Sequence, residues 1–332
     1  MDLRTRYLGL ELANPLVPSA SPLSHDLDIA RRLEDAGAAA LVMYSLFEEE
    51  LHQHLDMGAE HHFAHAEAQS FLPVHPHSGT ALDNYLEQIA RLKQVLDIPV
   101  IASLNGISLD GWVENGKLLA EAGADALELN VYTIVANTEI DSHQLEQQYL
   151  ALLSELRGVV EIPITVKLSP YFSALANVVA SLESAGANGV SLFNRFYQPD
   201  IDIDTLRISP RLQLSPPGDT LLSMRWLGIL HGKVGLSLAA TGGIHRSEDA
   251  IKMLLAGADV THLCSTLLLH GPKRLTEILD GITRWLEESP YDSIDMLKGT
   301  LAHRHSGENS AYERASYVKM LGGYTLNSTQ WD

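Results

Sequence analysis

The stretch LAEAGADALELN, residues 119–130, contains the joint between a helix and a strand that decides the fold. Its first half has the polar and apolar spacing of an amphipathic helix, and its second half is an apolar run behind Gly123. Glycine just after a helix readily takes a left-handed conformation, so the chain can turn at once into a buried strand. The same pattern recurs at residues 33–45 (LEDAGAAALVMYS), 182–194 (LESAGANGVSLFN) and 254–265 (LLAGADVTHLCS).

Further apolar runs, entered through proline or glycine, lie between these joints at residues 14–20, 98–104, 162–168 and 235–243. Together with the joints they predict eight strands that alternate with helices. Strands without strict alternation are buried on both faces, which indicates a parallel sheet with right-handed crossovers. Because no GxGxxG follows the first strand, the pattern favours an α/β fold with a closed (β/α)8 TIM barrel over an open sheet. We expect one domain over residues 1–332.

Two segments, 47–80 and 195–225, are too long for ordinary connections and are predicted to be active-site loops at the carboxyl face of the barrel. The first holds seven of the fifteen histidines, within residues 52–77. Their spacing could suit a metal, but no cysteine or aspartate arrangement completes a site, so we predict solvated loop histidines and no metal. Residues 308–321 (ENSAYERASYVKML) are predicted to form a closing helix.

The composition limits the class of protein. Of the 332 residues 45% are hydrophobic and 20% are charged, and no apolar run reaches the roughly 18 residues of a membrane-spanning helix. The start shows no signal pattern and the single cysteine excludes an internal disulfide, so a soluble, cytoplasmic protein is expected. A formal net charge of −19 argues against binding to nucleic acid. An anionic ligand would therefore need a local binding feature.

The segment ATGGIHRSEDA, residues 240–250, supplies such a feature together with the start of the helix after the last strand. Backbone N–H groups at Gly242 and Gly243 could face a phosphate, and Ser265 and Thr266 would begin that helix. Binding of phosphate is the favoured interpretation, because barrels commonly hold phosphate after their last two strands. The alternative is that the two glycines only permit a tight turn.

Polar side chains also stand at the carboxyl ends of the middle strands. Lys167 lies near the end of ITVKLSPYF, residues 164–172, and an ammonium in a barrel mouth needs a partner. An anionic or electron-rich ligand is the predicted partner, and the alternative is a lysine that extends to solvent at the rim. The amides of Asn105, Asn130 and Asn194 would form a ring that suits a planar, imide-like molecule, unless each only caps its own loop.

These motifs resemble the dihydroorotate dehydrogenase family, the FMN-dependent barrels of pyrimidine synthesis. The resemblance covers nearly the whole chain, from GLELANPLVPSAS (9–21) through PITVKLSPYF (163–172) to the block at residues 240–272. It is closer to the soluble, cytoplasmic branch, because the amphipathic N-terminal arm of the membrane-associated branch is missing. It implies a homodimer and a cyclic small-molecule substrate. By position, it places Lys167 at the flavin ring, Asn105 and Asn130 at the flavin edge or the substrate, Asn194 at the substrate, Ala20 and Ser215 beside the flavin, and Gly242, Gly243, Ser265 and Thr266 at the FMN phosphate.

The catalytic loop departs from the family pattern. Where the family has a sequence like N-L-S-C-P-N, this chain reads N-V-Y-T-I-V from residue 130. Thr133 therefore falls at the position of the catalytic base, although a hydroxyl needs a neighbour or a water chain to remove its proton. Tyr132 or a water could serve instead. Tyr44 stands where the family has a lysine, Val135 stands where it has an asparagine, and its N-x-M-G-L-P-N loop is not recognisable within residues 61–77.

The favoured hypothesis is an FMN-dependent oxidoreductase that oxidises a CH–CH bond beside a carbonyl, in dihydroorotate or a related cyclic substrate, with hydride transfer to the flavin. Electrons would then pass to a soluble acceptor. Because one cysteine cannot hold an iron–sulfur cluster, transfer to NAD through such a cluster would need a second protein. The alternatives are a phosphate-binding lyase or synthase with Lys167 as Schiff base, and a non-catalytic flavin carrier.

Overall fold

The computed structural model describes residues 1–48, 80–105, 109–210, 212–305 and 312–313. The strands are, in chain order, β1 (Thr5–Tyr7), β2 (Leu10–Leu12), β3 (Leu16–Pro18), β4 (Leu41–Phe47), β5 (Val100–Asn105), β6 (Ala126–Asn130), β7 (Ile164–Leu168), β8 (Gly189–Leu192), β9 (Pro199–Asp202), β10 (Arg207–Pro210), β11 (Ser237–Thr241) and β12 (Val260–Leu263). The α-helices are α1 (Leu27–Asp35), α2 (Ala81–Val95), α3 (Leu109–Glu121), α4 (Ser142–Arg157), α5 (Leu175–Ser184), α6 (Thr220–Leu230), α7 (Ser247–Ala256), α8 (Ser265–His270), α9 (Lys273–Glu288) and α10 (Ile294–Leu297).

Eight of the strands form one parallel sheet in the order β3-β12-β11-β8-β7-β6-β5-β4. The ends of this sheet approach each other, since the N–H of Ala39, just before β4, donates to the Leu16 carbonyl of β3 at 2.9 Å. The sheet is therefore a nearly closed barrel, and the prediction of a (β/α)8 TIM barrel is confirmed. Each of the eight predicted segments overlaps one of its strands; β4 and β5 extend one or two residues beyond theirs.

The helix-to-strand joints have the predicted conformation. The glycines at these joints, Gly37, Gly123, Gly186 and Gly257, have φ angles of 103°, 101°, 102° and 118°. A side chain at such angles would be strained, and glycine avoids this cost because it has no Cβ. The turn after α1 shows the result, since the N–H groups of Gly37 and Ala38 donate to Glu34 and Leu33 and direct the chain into β4.

A β-hairpin that was not predicted, β1 and β2, lies against the amino-terminal end of the barrel. Thr5 Oγ1 donates to the Asp259 carbonyl before β12, and the Leu8 N–H donates to Ser237 Oγ at the start of β11, both at 2.9 Å. Tyr7, Leu8 and Leu12 pack with the inward-facing residues at the beginnings of the strands. The hairpin therefore covers the end of the barrel opposite the predicted site.

The larger hydrophobic core lies between the outer face of the barrel and the surrounding helices. Leu33 of α1, Leu153 of α4 and Leu254 of α7 are fully buried in it. Burying one leucine side chain contributes about 2 kcal/mol relative to leaving it exposed. In β6, Leu127 and Leu129 also belong to this core. Because successive strand residues point to opposite sides, Glu128 and Asn130 face the barrel interior.

The segment after β8 contains the antiparallel ribbon β9–β10 and then α6, which begins at Thr220. Residues 220–225, which were predicted as the end of a long loop, therefore belong to a helix. The histidine-rich part of the first predicted loop, residues 49–79, lies outside the described residues, as does most of the predicted closing helix at 308–321. No helix in the described part of the chain is both long and apolar enough to cross a bilayer.

Candidate functional site

An ion pair lies inside the barrel near the carboxyl ends of the strands. Lys167 Nζ of β7 is 3.5 Å from Glu128 Oε1 of β6, and their side chains are 9% and 0% exposed. Glu128 Oε2 accepts a hydrogen bond from Ser191 Oγ of β8 at 3.2 Å. The predicted ligand of Lys167 stays a prediction, and the protein itself supplies a carboxylate beside the ammonium. We call Glu128, Lys167, Ser191 and His262 the interior ion cluster.

His262 of β12 completes the interior ion cluster. Its Nδ1 is 3.8 Å from Glu128 Oε2, which is too long for a hydrogen bond, and the side chain is fully buried. The pKa of His262 is lowered to about 4, mainly by burial; the charge of Glu128 opposes this shift, and that of Lys167 contributes to it. The imidazole is therefore neutral at pH 7. Tyr7, which packs edge to face with it, is neutral too, because burial and the charge of Glu128 raise its pKa.

The predicted ring of amides is present in part. Asn194 Nδ2 donates to Asn130 Oδ1, Asn130 Nδ2 donates to Ser45 Oγ at 3.2 Å, and Ser45 Oγ is 2.9 Å from Ser103 Oγ. These bonds form a chain across β8, β6, β4 and β5. Asn105 is also buried, at 6% exposure, but its side chain has no described hydrogen bond to this chain of groups. The second N–H of Asn130 and the Oδ1 of Asn194 take no part in these bonds, so each amide keeps hydrogen-bonding capacity beyond the chain.

A second cluster joins two of the predicted phosphate residues, Gly243 and Ser265, with Ser215, which was predicted to lie beside the flavin. The Gly243 N–H donates to Ser215 Oγ at 3.0 Å, and Ser215 Oγ in turn donates to Ser265 Oγ at 2.8 Å. Ser265 Oγ also accepts from the Ser215 N–H at 3.0 Å, so the loop before α6 is bound to the start of α8. We call Ser215, Gly242, Gly243, Ser265 and Thr266 the glycine–serine cluster.

Two features of the glycine–serine cluster fit a phosphate. Gly242 has a φ of +90°, and a Cβ added there would meet nothing within 4 Å, so open space adjoins its backbone. Thr266 Oγ1 is buried and has no hydrogen-bond partner among the described residues. A buried hydroxyl without a partner is costly, and a phosphate oxygen would supply one. At Gly243, by contrast, a Cβ would lie 2.7 Å from the Pro216 carbonyl oxygen, so that glycine is needed for packing.

The loop after β6 places the two candidate bases differently. Thr133 is exposed, and Tyr132 is partly buried. The Tyr132 ring stacks on Phe196 with a centroid distance of 4.2 Å, and its hydroxyl accepts from the Tyr197 N–H at 3.1 Å. Tyr132 therefore ties this loop to the insertion after β8. The assignment of Thr133 as the base stays a prediction.

His25 and Tyr85, which contact Tyr44 near the strand ends, were not found from the sequence. His25 stacks on Tyr44 with a centroid distance of 3.6 Å, and Tyr85 donates to the Tyr44 carbonyl at 2.8 Å. Tyr44 therefore adds an aromatic surface where the family has a lysine. Ala20, a predicted cofactor contact, is partly buried and packs against the inner apolar cluster. Glu128, Ser191 and His262 were also missed, although their inward alternation within the strands was a usable signal.

The structure is a parallel eight-stranded (β/α)8 barrel with a glycine–serine cluster after its last two strands, the place where such barrels commonly bind phosphate. The family model for dihydroorotate dehydrogenase matches residues 76–286, which is more than half of the chain. The chain therefore belongs to the dihydroorotate dehydrogenase family, whose members are FMN-dependent flavoproteins.

Curated relatives agree with this assignment. The catalytic subunit of dihydroorotate dehydrogenase B (NAD(+)) from Pyrococcus abyssi is 27% identical over 307 residues, which cover 90% of this chain and 98% of the relative. The protein of the same name from Pyrococcus furiosus is 26% identical over 309 residues, with 90% and 98% coverage. That from Endomicrobium trichonymphae is 28% identical over 221 residues, with 65% and 71% coverage.

Proposed function

We propose that this protein oxidises dihydroorotate to orotate, with FMN as its cofactor, in pyrimidine biosynthesis. The observation that carries the proposal is the pair of features at the carboxyl face: open space beside Gly242 with an unpartnered Thr266 hydroxyl, and an ammonium at Lys167. The first suits a phosphate and the second suits an electron-rich ring. Family membership supports the same assignment.

The residues of the chain divide into two sets of roles. The glycine–serine cluster would hold the FMN phosphate, and Lys167 would contact the flavin ring. When bound, FMN supplies the acceptor for the hydride that leaves the substrate carbon. Asn130 and Asn194 would orient the substrate, because their amides offer donors and acceptors to an imide-like ring. Asn105 and Ala20 would contact the cofactor.

The proton of the neighbouring substrate carbon needs a separate acceptor. We assign this role to Thr133 Oγ1, which is exposed and so can pass the proton on to water. Tyr132 is the competing candidate, because it carries the neighbouring hydroxyl of this loop, but that hydroxyl already accepts from the Tyr197 N–H while the ring stacks on Phe196. The loop after β6 thus offers two hydroxyl groups, of which the exposed one exchanges protons with solvent more readily.

Anaerobic mixing of the purified protein with dihydroorotate tests the activity. The protein should be yellow, its flavin absorbance should bleach, and orotate should form in proportion to the flavin. A protein that binds FMN but does not bleach with dihydroorotate or related dihydropyrimidines would contradict the substrate assignment and favour a flavin carrier. Lys167→Met leaves the buried Glu128 without its partner charge, so it should be less stable than the parent protein. Under conditions in which urea unfolding shows it to be folded, it should bleach at least about tenfold more slowly, as expected for the loss of one charge aimed at the reacting group.

Electron transfer to NAD would need a second protein. The printed names of the relatives describe a catalytic subunit of an NAD(+) enzyme. This chain has a single cysteine, Cys264, which is too few for an iron–sulfur cluster. We infer that a redox partner subunit accepts the electrons in the cytoplasm. Addition of NAD to the protein alone should leave a reduced flavin reduced.

We also propose a homodimer that forms through the ribbon β9–β10. Ile201 and Ile208 pair on one face of this ribbon and are 66% and 74% exposed. Ile203 and Leu206, in the turn that joins its strands, are 80% and 85% exposed. A two-stranded ribbon with an exposed apolar face is marginally stable alone, and a second copy would cover that face symmetrically. The double substitution of Ile201 and Ile208 by aspartate should give a monomer in analytical ultracentrifugation. Ser209→Asp, on the opposite face, should leave the dimer intact.

A further inference from the structure

We propose that Glu128 is the positioning residue for Lys167: its carboxylate holds the ammonium, charged and in place, at the end of β7. The role of Lys167 at the flavin rests on the proposed function. The contact between Glu128 and Lys167 does not depend on it. The resemblance to the family assigns no role to Glu128. Its position follows from the register of β6 and β7, in which Asn130 pairs with Lys167 and Glu128 pairs with Thr165.

The two carboxylate oxygens of Glu128 contact different residues, Lys167 and Ser191. Oε1 lies 3.5 Å from Lys167 Nζ and has no hydrogen-bond partner among the described residues, so its interaction with the ammonium is ionic. Oε2 accepts from Ser191 Oγ at 3.2 Å, which fixes the carboxylate from the neighbouring wall of the barrel. The carboxylate is thus held by β8 and directed at β7.

The remaining titratable groups near this carboxylate do not neutralise it. His262 is 3.8 Å away and is uncharged at pH 7, because burial lowers its pKa to about 4. Tyr7 and Tyr85, on which the charge of Glu128 also acts, are uncharged because burial raises the pKa of each. Among the described charges that act on His262, Lys167 is the cation and Glu128 is the anion. The two charges therefore balance each other.

This arrangement favours a ligand-related role over a purely stabilising one. Replacement of a buried ion pair by well-packed apolar residues is often neutral or favourable for stability, so the fold does not require it. The pair lies one step below the amide chain, since Asn130 follows Glu128 on the same inward face of β6. An ammonium kept charged at this depth is useful where an electron-rich ligand contacts it. Without Glu128, burial would favour loss of the proton from Lys167.

Trace acetylation of the protein, with and without bound FMN, measures the protonation of Lys167 directly. Acetic anhydride reacts only with the free amine, so labelling of the Lys167 peptide against pH reports its protonation by mass spectrometry. In Glu128→Gln, half-maximal labelling of Lys167 should move to lower pH by at least about one unit, which means about tenfold faster labelling at pH 7. Ser191→Ala is the matched control, because it removes a hydrogen bond to Glu128 and no charge. Its labelling curve should stay within about 0.3 units of that of the parent protein.

An unchanged labelling curve in Glu128→Gln would overturn the proposal. If that variant does not fold, the double variant Glu128→Gln with Lys167→Met should fold, since it buries no lone charge. A double variant that is also unfolded would show that the carboxylate is needed apart from Lys167 and would refute the pairing.

A separate measurement of FMN affinity distinguishes failure of this inference from failure of the proposed function. FMN affinity, measured by quenching of flavin fluorescence, should fall at least about tenfold between pH 6 and pH 9 in Glu128→Gln and not in the parent protein. A shifted labelling curve without any FMN binding would support the role of Glu128 and contradict the cofactor assignment.

Discussion

Replacement of Gly242 with alanine separates backbone strain from ligand binding. The residue has a φ of +90°, so an alanine there is strained whatever the surrounding space. A Cβ would meet no protein atom within 4 Å, which leaves strain as the main cost in the FMN-free protein. For a single residue in a left-handed conformation this cost is about 1–2 kcal/mol. The protein should therefore fold, with a slightly lower free energy of unfolding.

FMN binding should respond much more strongly than the fold. The added methyl group would occupy the space in which we expect the phosphate, and each tenfold loss of affinity corresponds to about 1.4 kcal/mol. We expect at least a tenfold increase in the dissociation constant of Gly242→Ala for FMN, measured by fluorescence quenching. Urea unfolding of the same variant measures its free energy of unfolding.

Two other glycines provide controls. Gly9→Ala has the same kind of strain, with a φ of +81° and nothing within 4 Å, but it lies in the hairpin at the opposite end of the barrel. It should match the stability loss of Gly242→Ala and bind FMN normally. In Gly243→Ala the Cβ would lie 2.7 Å from the Pro216 oxygen and 2.9 Å from the Thr220 nitrogen, so the loss should reach about 3 kcal/mol or more. Equal FMN affinity in Gly242→Ala and Gly9→Ala would refute the phosphate assignment.

Three further predictions concern single side chains. Thr133→Ala should slow flavin reduction by dihydroorotate at least about 100-fold while Tyr132→Phe changes it little, and the reverse pattern in stopped-flow absorbance would make Tyr132 the base. The pKa of His262 is about 4 in the folded protein, against an ordinary value of 6.5, so the folded state resists protonation of this residue. The free energy of unfolding should therefore fall by about 3 kcal/mol as the pH drops from 6.5 to 4. The variant His262→Gln, unfolded over the same pH range, should lack this loss. Thr266→Val should bind FMN more weakly without loss of stability, since the hydroxyl has no described partner; a clear loss of stability in urea unfolding would count against this.

The barrel could be predicted because its signals are local. A glycine such as Gly123 ends one helix and starts one strand, and this needs no knowledge of the rest of the chain. The ribbon β9–β10 had a local signal too, since Asp200 and Asp202 alternate with Ile201 and Ile203. That alternation stands in a segment rich in proline and was interpreted as loop.

The interior ion cluster depends on contacts between strands, which no single stretch of sequence contains. Glu128 and His262 lie 134 positions apart, and their proximity follows from the closure and register of the barrel. The inward direction of Glu128 was readable, because it stands between Leu127 and Leu129, whereas His262 follows Thr261 and had a weaker signal. The partner of Lys167 could not be predicted from the sequence, since a ligand and a carboxylate satisfy an ammonium equally well on chemical grounds.

The identity of the base is a different kind of question. The family pattern N-L-S-C-P-N is replaced here, and Thr133 is exposed in a loop whose neighbouring ring contacts the insertion after β8. The position along the chain therefore favours Thr133 as the base, while the partial burial of Tyr132 favours that residue. Kinetics must decide between them.

A crystal structure of the protein with bound FMN tests the central claim most directly. The account predicts the phosphate beside the Gly242 backbone and within hydrogen-bond distance of Thr266 Oγ1, with the flavin ring against Lys167 Nζ. A phosphate bound elsewhere, or a flavin whose ring lies away from Lys167, would contradict it.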